Sequence, residues 1–185
     1  MGRAEPRRAM RTRRDPLFLG GVLILLLAAG LRFTQLDAQS FWNDEGNTAR
    51  LVERTIPLII EGAAGVIHPP GSYLILHGWR ALVGETEYAL RAYSALCGLL
   101  TVAVTAAVGR RIGGWTTALG AALVVALHPL AVYYSQEARM YAQLGLAAAL
   151  TLWMGIRLIR TASPGRMSRP RAIVGLGLAV ALGLY

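Results

Sequence analysis

The sequence predicts an all-α protein, a polytopic transmembrane helical bundle, and three observations carry that prediction. Hydrophobic residues make up 55% of the 185 and charged residues 16%, against roughly 25% charged in soluble domains. The mean hydropathy is +0.46, and the apolar residues come in long blocks rather than in the short alternation of half-buried strands. All 19 basic residues are arginine, and many of them flank the apolar blocks, as in chains oriented in a bilayer. A soluble globule could not cover so much apolar surface with so few charges. Disorder, a coiled coil, a collagen-like fibre and a disulfide-rich domain are excluded as well. The net charge of +9 therefore reads as membrane orientation, and no nucleic-acid partner is expected. The single cysteine, Cys97, sits inside an apolar run and has no intramolecular partner.

The elements follow in order. Residues 1–15 carry six arginines against Glu5 and Asp15 and form a basic cytoplasmic N-terminus. The first span covers about 16–32 as an uncleaved anchor, with Arg32 snorkelling at its far end. An outer loop, 33–87, contains an interfacial helix at 69–83. That stretch is short for a crossing, which needs about 20 residues, and its His77 and Arg80 would be costly at the bilayer centre. Further spans are expected at about 88–108, 115–134 and 141–159, with His128-Pro129 a breaker inside the third. A fifth starts at 172 and reaches Tyr185 without a flank. The chain thus reads as the N-terminal part of a longer protein, and these residues alone are expected to be inactive.

Orientation follows from the arginines. With 69–83 outside, thirteen arginines and two acids fall inside, and six arginines and eight acids fall outside. This asymmetry places the N-terminus, Arg110-Arg111 and the 160–171 loop in the cytoplasm, and 33–87 and 134–141 on the outer face of the plasma membrane.

Three clusters on that outer face could carry chemistry. In Ser40–Asn47 the adjacent acids Asp44 and Glu45 follow Trp42 at the membrane–water interface. Alternatively, Asn43 or Asp44 caps a short helix over Asn47–Arg54. In His68-Pro69-Pro70-Gly71-Ser72-Tyr73 the prolines suit a first helical turn; His68 there is a metal ligand, a phosphate contact or neither. In Tyr133–Tyr141 the charges of Glu137 and Arg139 lie in a short turn close to apolar spans. They are either solvated or turned to a cavity or a partner. Arg91 follows Glu85 and Glu87 and is a helix anchor or a ligand. No P-loop, nucleotide-binding glycine fingerprint, HExxH or CxxC motif is present.

The order of these motifs resembles the N-terminal part of the GT-C membrane glycosyltransferases. These are an acidic pair after the first span, His68–Tyr73, Gly84–Arg91 and Tyr134–Tyr141. The bacterial protein O-mannosyltransferase-like, aminoarabinose-transferase-like and Rgt-type galacturonosyltransferase-like branch is the most similar. The resemblance implies transfer of a sugar from a polyprenyl-phosphate donor to a protein, lipid or glycan acceptor at the outer face. It implies Asp44 as the catalytic aspartate with Glu45 beside it, and His68 and Glu137 at positions that hold a divalent metal (Mg, Mn or Zn). Pro69 stands where aminoarabinose transferases place a phosphate-binding lysine, so Arg139 or Arg91 is expected at the donor phosphate. Asp44, His68 and Glu137 are then expected to share one polar cavity. A carboxylate accepting the acceptor's proton, with phosphate as leaving group, favours inversion by single displacement over a two-carboxylate retaining scheme. The alternative reading is a non-catalytic polytopic protein, either a polyprenyl-lipid flippase or transporter or an assembly subunit. The acids argue against a transporter, since they lie in outer loops and not at the bilayer midplane.

Overall fold

The computed structural model describes residues 16–65, 68–160 and 169–184, and all of its regular elements are helices. The basic N-terminus and most of the 160–171 loop lie outside the described residues. Among the described residues, three helices are long and apolar enough to cross a membrane: Pro16–Phe33, Glu87–Leu127 and Tyr141–Ile159.

Helix α1 (Pro16–Phe33) rises about 27 Å at 1.5 Å per residue, close to the roughly 30 Å of bilayer hydrocarbon. Leu19, Leu23 and Leu26 recur on one exposed face, which suits lipid contact. Gln35, at φ +60°, turns the chain beyond α1.

Helix α5 (Glu87–Leu127) is a hairpin of two arms, 87–112 and 115–127, folded at Gly113 and Gly114. Gly114 has φ +79°, a left-handed conformation that glycine adopts without a Cβ clash. The arms then close tightly, because a Cβ on Gly109 would stand 2.9 Å from Ala118 Cα. Ala28, Val102, Ala122 and Ala126 fill the seam between α1 and the arms. Such small residues let helix backbones approach where no hydrophobic force drives association.

The second arm rises only about 20 Å before His128 adopts an extended conformation (ψ 122°). Helix α6 (Pro129–Ser135) continues from there. Pro129 has no N–H to give the Val125 carbonyl, and the break frees the Ala126 carbonyl too. Arg32, from the end of α1, donates to both, at 3.0 and 3.1 Å, and to Ala28 O at 3.3 Å. Arg32 is fully buried, so it does not snorkel to the interface as expected; the carbonyls exposed by the proline break give it partners inside. Gln136 returns the relation, its side-chain amide donating to the α1 carbonyls of Leu31 (2.9 Å) and, just beyond, Thr34 (3.2 Å). Gly98 leaves the space for this junction, since a Cβ there would collide with Ser135 and lie 3.0 Å from Arg32 Nε. Helices α7 (Tyr141–Arg160) and α8 (Arg169–Leu184) pack on each other, and α7 on α5.

Above the start of α5 sit three short helices, α2 (Asn43–Val52), α3 (Ile56–Gly65) and α4 (Gly71–Val83). They share a core of Ala49, Val52, Ile59, Ala63, Tyr73 and Leu76 with Leu90 and Ala138. The α2 helix starts four residues earlier than expected. Neither Asn43 nor Asp44 caps it, because Trp42 holds the N-cap position without a side-chain bond. Asp44 and Glu45 lie instead in its first turn, where the helix dipole favours carboxylates. Helix α4 rises about 20 Å and is tied inward by His77 Nδ1 against Val52 O (2.7 Å) and by the Trp79 indole donating to Ala89 O (2.8 Å). Arg80 pairs with Glu85 at 2.5 Å.

Candidate functional site

Successive helical residues point about 100° apart, so the two acids of α2 face different surroundings. Glu45 is 1% exposed. Its carboxylate accepts from Arg91 NH2 at 2.6 Å, from Arg91 Nε at 3.0 Å and from the Ala138 backbone N–H at 2.7 Å. Arg91 also donates to the carbonyls of Leu36 (2.7 Å), Gln39 (2.8 Å) and Ser40 (3.4 Å) and lies over the Phe41 ring. A guanidinium has five N–H donors, and these bonds use all five. Arg91 and Glu45, expected at the donor phosphate and beside the base, instead satisfy each other. Together they fasten the loop after α1, α2, α5 and the 136–140 turn.

Asp44 keeps 45% of its side chain exposed and stands 3.6 Å from Arg139 NH2. Arg139 is held loosely, by bonds of 3.4 Å each to Asp44 O and Thr48 Oγ, and lies over the Tyr141 ring at 5.7 Å. Its side chain is 9% exposed, and its buried Nε has no partner. Arg139 thus has donors to spare where Arg91 has none. Beside it Thr48, Ser72, Tyr73, Ser94 and Gln143 surround a cavity of about 10 Å³, at the lower limit for one water. Burial pushes the Tyr73 hydroxyl's pKa up; Arg139 opposes that shift and Asp44 adds to it.

Glu137 is 6% exposed and faces the Tyr133 hydroxyl. It lines a separate polar cavity of about 220 Å³ with Gln39, Trp42, Glu45, Arg91, Tyr133 and Gln136. Asp44 and His68 are not among the residues that line it. His68 precedes α4, with its backbone N–H on Ala63 O at 3.4 Å. Asp44 pairs with Arg139, and Glu137 shares a cavity with Glu45.

No three His, Cys, Asp or Glu groups among the described residues lie close enough to hold a metal ion. Glu45, the nearest candidate to join Glu137, is committed to Arg91. As placed, the described residues do not supply a divalent-metal donor set.

Sequence reasoning missed the partnership of Arg91 with Glu45 and the junction of Arg32 with the Pro129 break. One signal was available for the second. A proline inside a predicted span frees carbonyls, and Arg32 was the only cation within the described part of the first span.

A family model described as dolichyl-phosphate-mannose-protein mannosyltransferase matches residues 67–185. The match covers Arg91, Glu137 and Arg139 and begins after Asp44 and Glu45. No curated protein and no solved structure matches the chain.

Proposed function

The chain belongs to the dolichyl-phosphate-mannose-protein mannosyltransferase family, of GT-C-type multi-pass membrane glycosyltransferases, and from that premise we propose that it transfers a sugar from a polyprenyl-phosphate donor to an acceptor hydroxyl. The acceptor is a protein, lipid or glycan. Transfer takes place at the membrane face that carries α2, which the arginine asymmetry assigns to the outside of the plasma membrane.

One observation supports this reading above the others: a half-exposed carboxylate, Asp44, beside an underused cation, Arg139, 3.6 Å away. Asp44 takes the proton of the acceptor hydroxyl as its oxygen attacks the anomeric carbon. The bond from that carbon to the phosphate oxygen breaks, and its electron pair leaves with the polyprenyl phosphate. Arg139, whose NH2 lies beside Asp44, meets that charge; a phosphate needs little protonation to leave. One displacement inverts the anomeric configuration. Glu45 and Arg91 position α2 and the Arg139 turn and touch neither substrate.

The experiment is transfer of a radiolabelled sugar from purified polyprenyl phosphate to acceptor by the full-length protein in liposomes. Transfer with inversion, lost in Asp44→Asn, is the expected result. A retained configuration or undiminished transfer in that variant overturns the reading.

A further inference from the structure

Toward the opposite end of the bundle from Asp44, α1 and the two arms of α5 leave an apolar cleft of about 250 Å³. Gly21 and Leu25 of α1, Ala106 and Arg110 of the first arm, and Trp115 and Leu119 of the second line it. Arg91 and Arg110 lie nineteen residues apart on one arm, a rise of about 28 Å. The mouth of the cleft is thus about one hydrocarbon thickness from the Arg91–Glu45 pair. Its walls are apolar from Ala103 onward and end at the Arg110 guanidinium.

Arg110 is exposed and lies over the Trp115 ring, 4.2 Å from the centroid. Stacking uses the flat face of a guanidinium and leaves its N–H edge available for a bidentate oxyanion. The only acid on α1 or α5 is Glu87, at the far end, and α6, α7 and α8 contain none. The described helices that build this end therefore bring no carboxylate to Arg110. Arg111 and Arg157, both over the Trp153 ring, add positive charge at the same end.

We propose that this cleft binds an anionic phospholipid, with one acyl chain between α1 and the α5 hairpin and the phosphate on Arg110. A slot walled by aliphatic side chains with Phe18 and Trp115 at membrane depth accepts hydrocarbon and, apart from Arg110, offers a polar ligand little to bond. A basic pocket between spans at the interface is suited to an anionic head group. The same small-residue walls would admit another polypeptide helix, but Arg110 at the mouth, to which the described helices bring no carboxylate, selects the lipid. The inference stands apart from the transfer chemistry, since it uses none of the residues assigned to it.

The test is lipid retention by the purified chain, read by native mass spectrometry after equilibration with mixed phosphatidylglycerol and phosphatidylcholine vesicles. The wild type retains phosphatidylglycerol over phosphatidylcholine by about fivefold, the contribution of one arginine near the surface. Arg110→Gln retains a lipid without preference. Ala106→Phe, which fills the slot, retains none while its circular dichroism stays helical; Ala107→Leu is a milder filling variant should Ala106→Phe misfold. Equal retention of the two lipids by the wild type, or an undiminished preference in Arg110→Gln, overturns the proposal. So does a photoreactive side chain at position 106 that crosslinks to polypeptide instead of lipid.

Discussion

Arg91 and Glu45 lie 46 residues apart in sequence and meet in a two-pronged ion pair of 2.6 and 3.0 Å, almost without solvent contact. A buried pair of this kind adds little over an apolar pair of the same shape, yet it is costly to break on one side only. Glu45→Gln leaves a buried guanidinium uncompensated. We expect it to destabilise the protein by about 3–5 kcal/mol, read as a lowered midpoint of unfolding in mixed micelles. Combining it with Arg91→Met should recover part of the loss, and a double variant no better than Glu45→Gln would show that the two residues act independently.

Asp44 carries no such structural duty. Its side chain is 45% exposed and its ion pair is long. Asp44→Asn should lower turnover by at least about a hundredfold, the lower end of a positioned general base, with the melting midpoint within 1 °C or so of wild type. The contrast with Glu45→Gln separates chemistry from architecture. Turnover close to wild type in an intact Asp44→Asn protein removes the residue from the mechanism.

Arg139 should act on the donor. Arg139→Met is expected to lower kcat by about a hundredfold, as removal of one oxyanion donor does, and Arg139→Lys should restore part of it through charge alone. Steady-state kinetics with varied polyprenyl-phosphate sugar checks this. If Arg139→Met changes only the acceptor's KM, the phosphate assignment fails.

Gly98 should be intolerant of even a methyl group. Gly98→Ala forces a Cβ against Ser135 and Arg32 Nε and should cost about 1–3 kcal/mol by overpacking. Ser135→Gly in the same chain removes the nearer obstacle and should return at least half of the stability. Thermal melts of the three proteins decide, and an additive double variant would mean that the clash is relieved elsewhere.

Topology has its own check. Single cysteines at Ser72 and Ser168 in a Cys97→Ala background should label from opposite faces of the membrane with an impermeant maleimide, given the thirteen-to-six division of arginines. Labelling of both from one face would reverse the orientation argument.

The membrane bundle was legible in the sequence because span length and arginine flanks are strong local signals. The hairpin turn was less so; the first arm runs past Val108 to Gly113, since nothing before the glycine pair stops a helix. Helix α3 was missed because Ile56–Gly65 contains Pro57 and two glycines in ten residues, and it is held by tertiary burial of Ile59 and Ala63. For the site, the residue types were legible and their partners were not. Adjacent acids on a helix must diverge, but which one turns inward depends on Arg91 and Ala138, 46 and 93 residues away. No local spacing encodes that.

The junction of Arg32 with the Pro129 break bears on how the polypeptide is assembled. When α1 first enters the bilayer its arginine has one carbonyl of its own helix to bond, and the carbonyls that complete it are made almost a hundred residues later. Until then the nascent chain holds a cation in the apolar phase, and once the proline break emerges it holds bare carbonyls as well. Each defect is relieved in part by the other, although the buried Arg32 Nε keeps no partner. We expect biogenesis to have a commitment step at the arrival of α6, before which the inserted helices are still open to rearrangement.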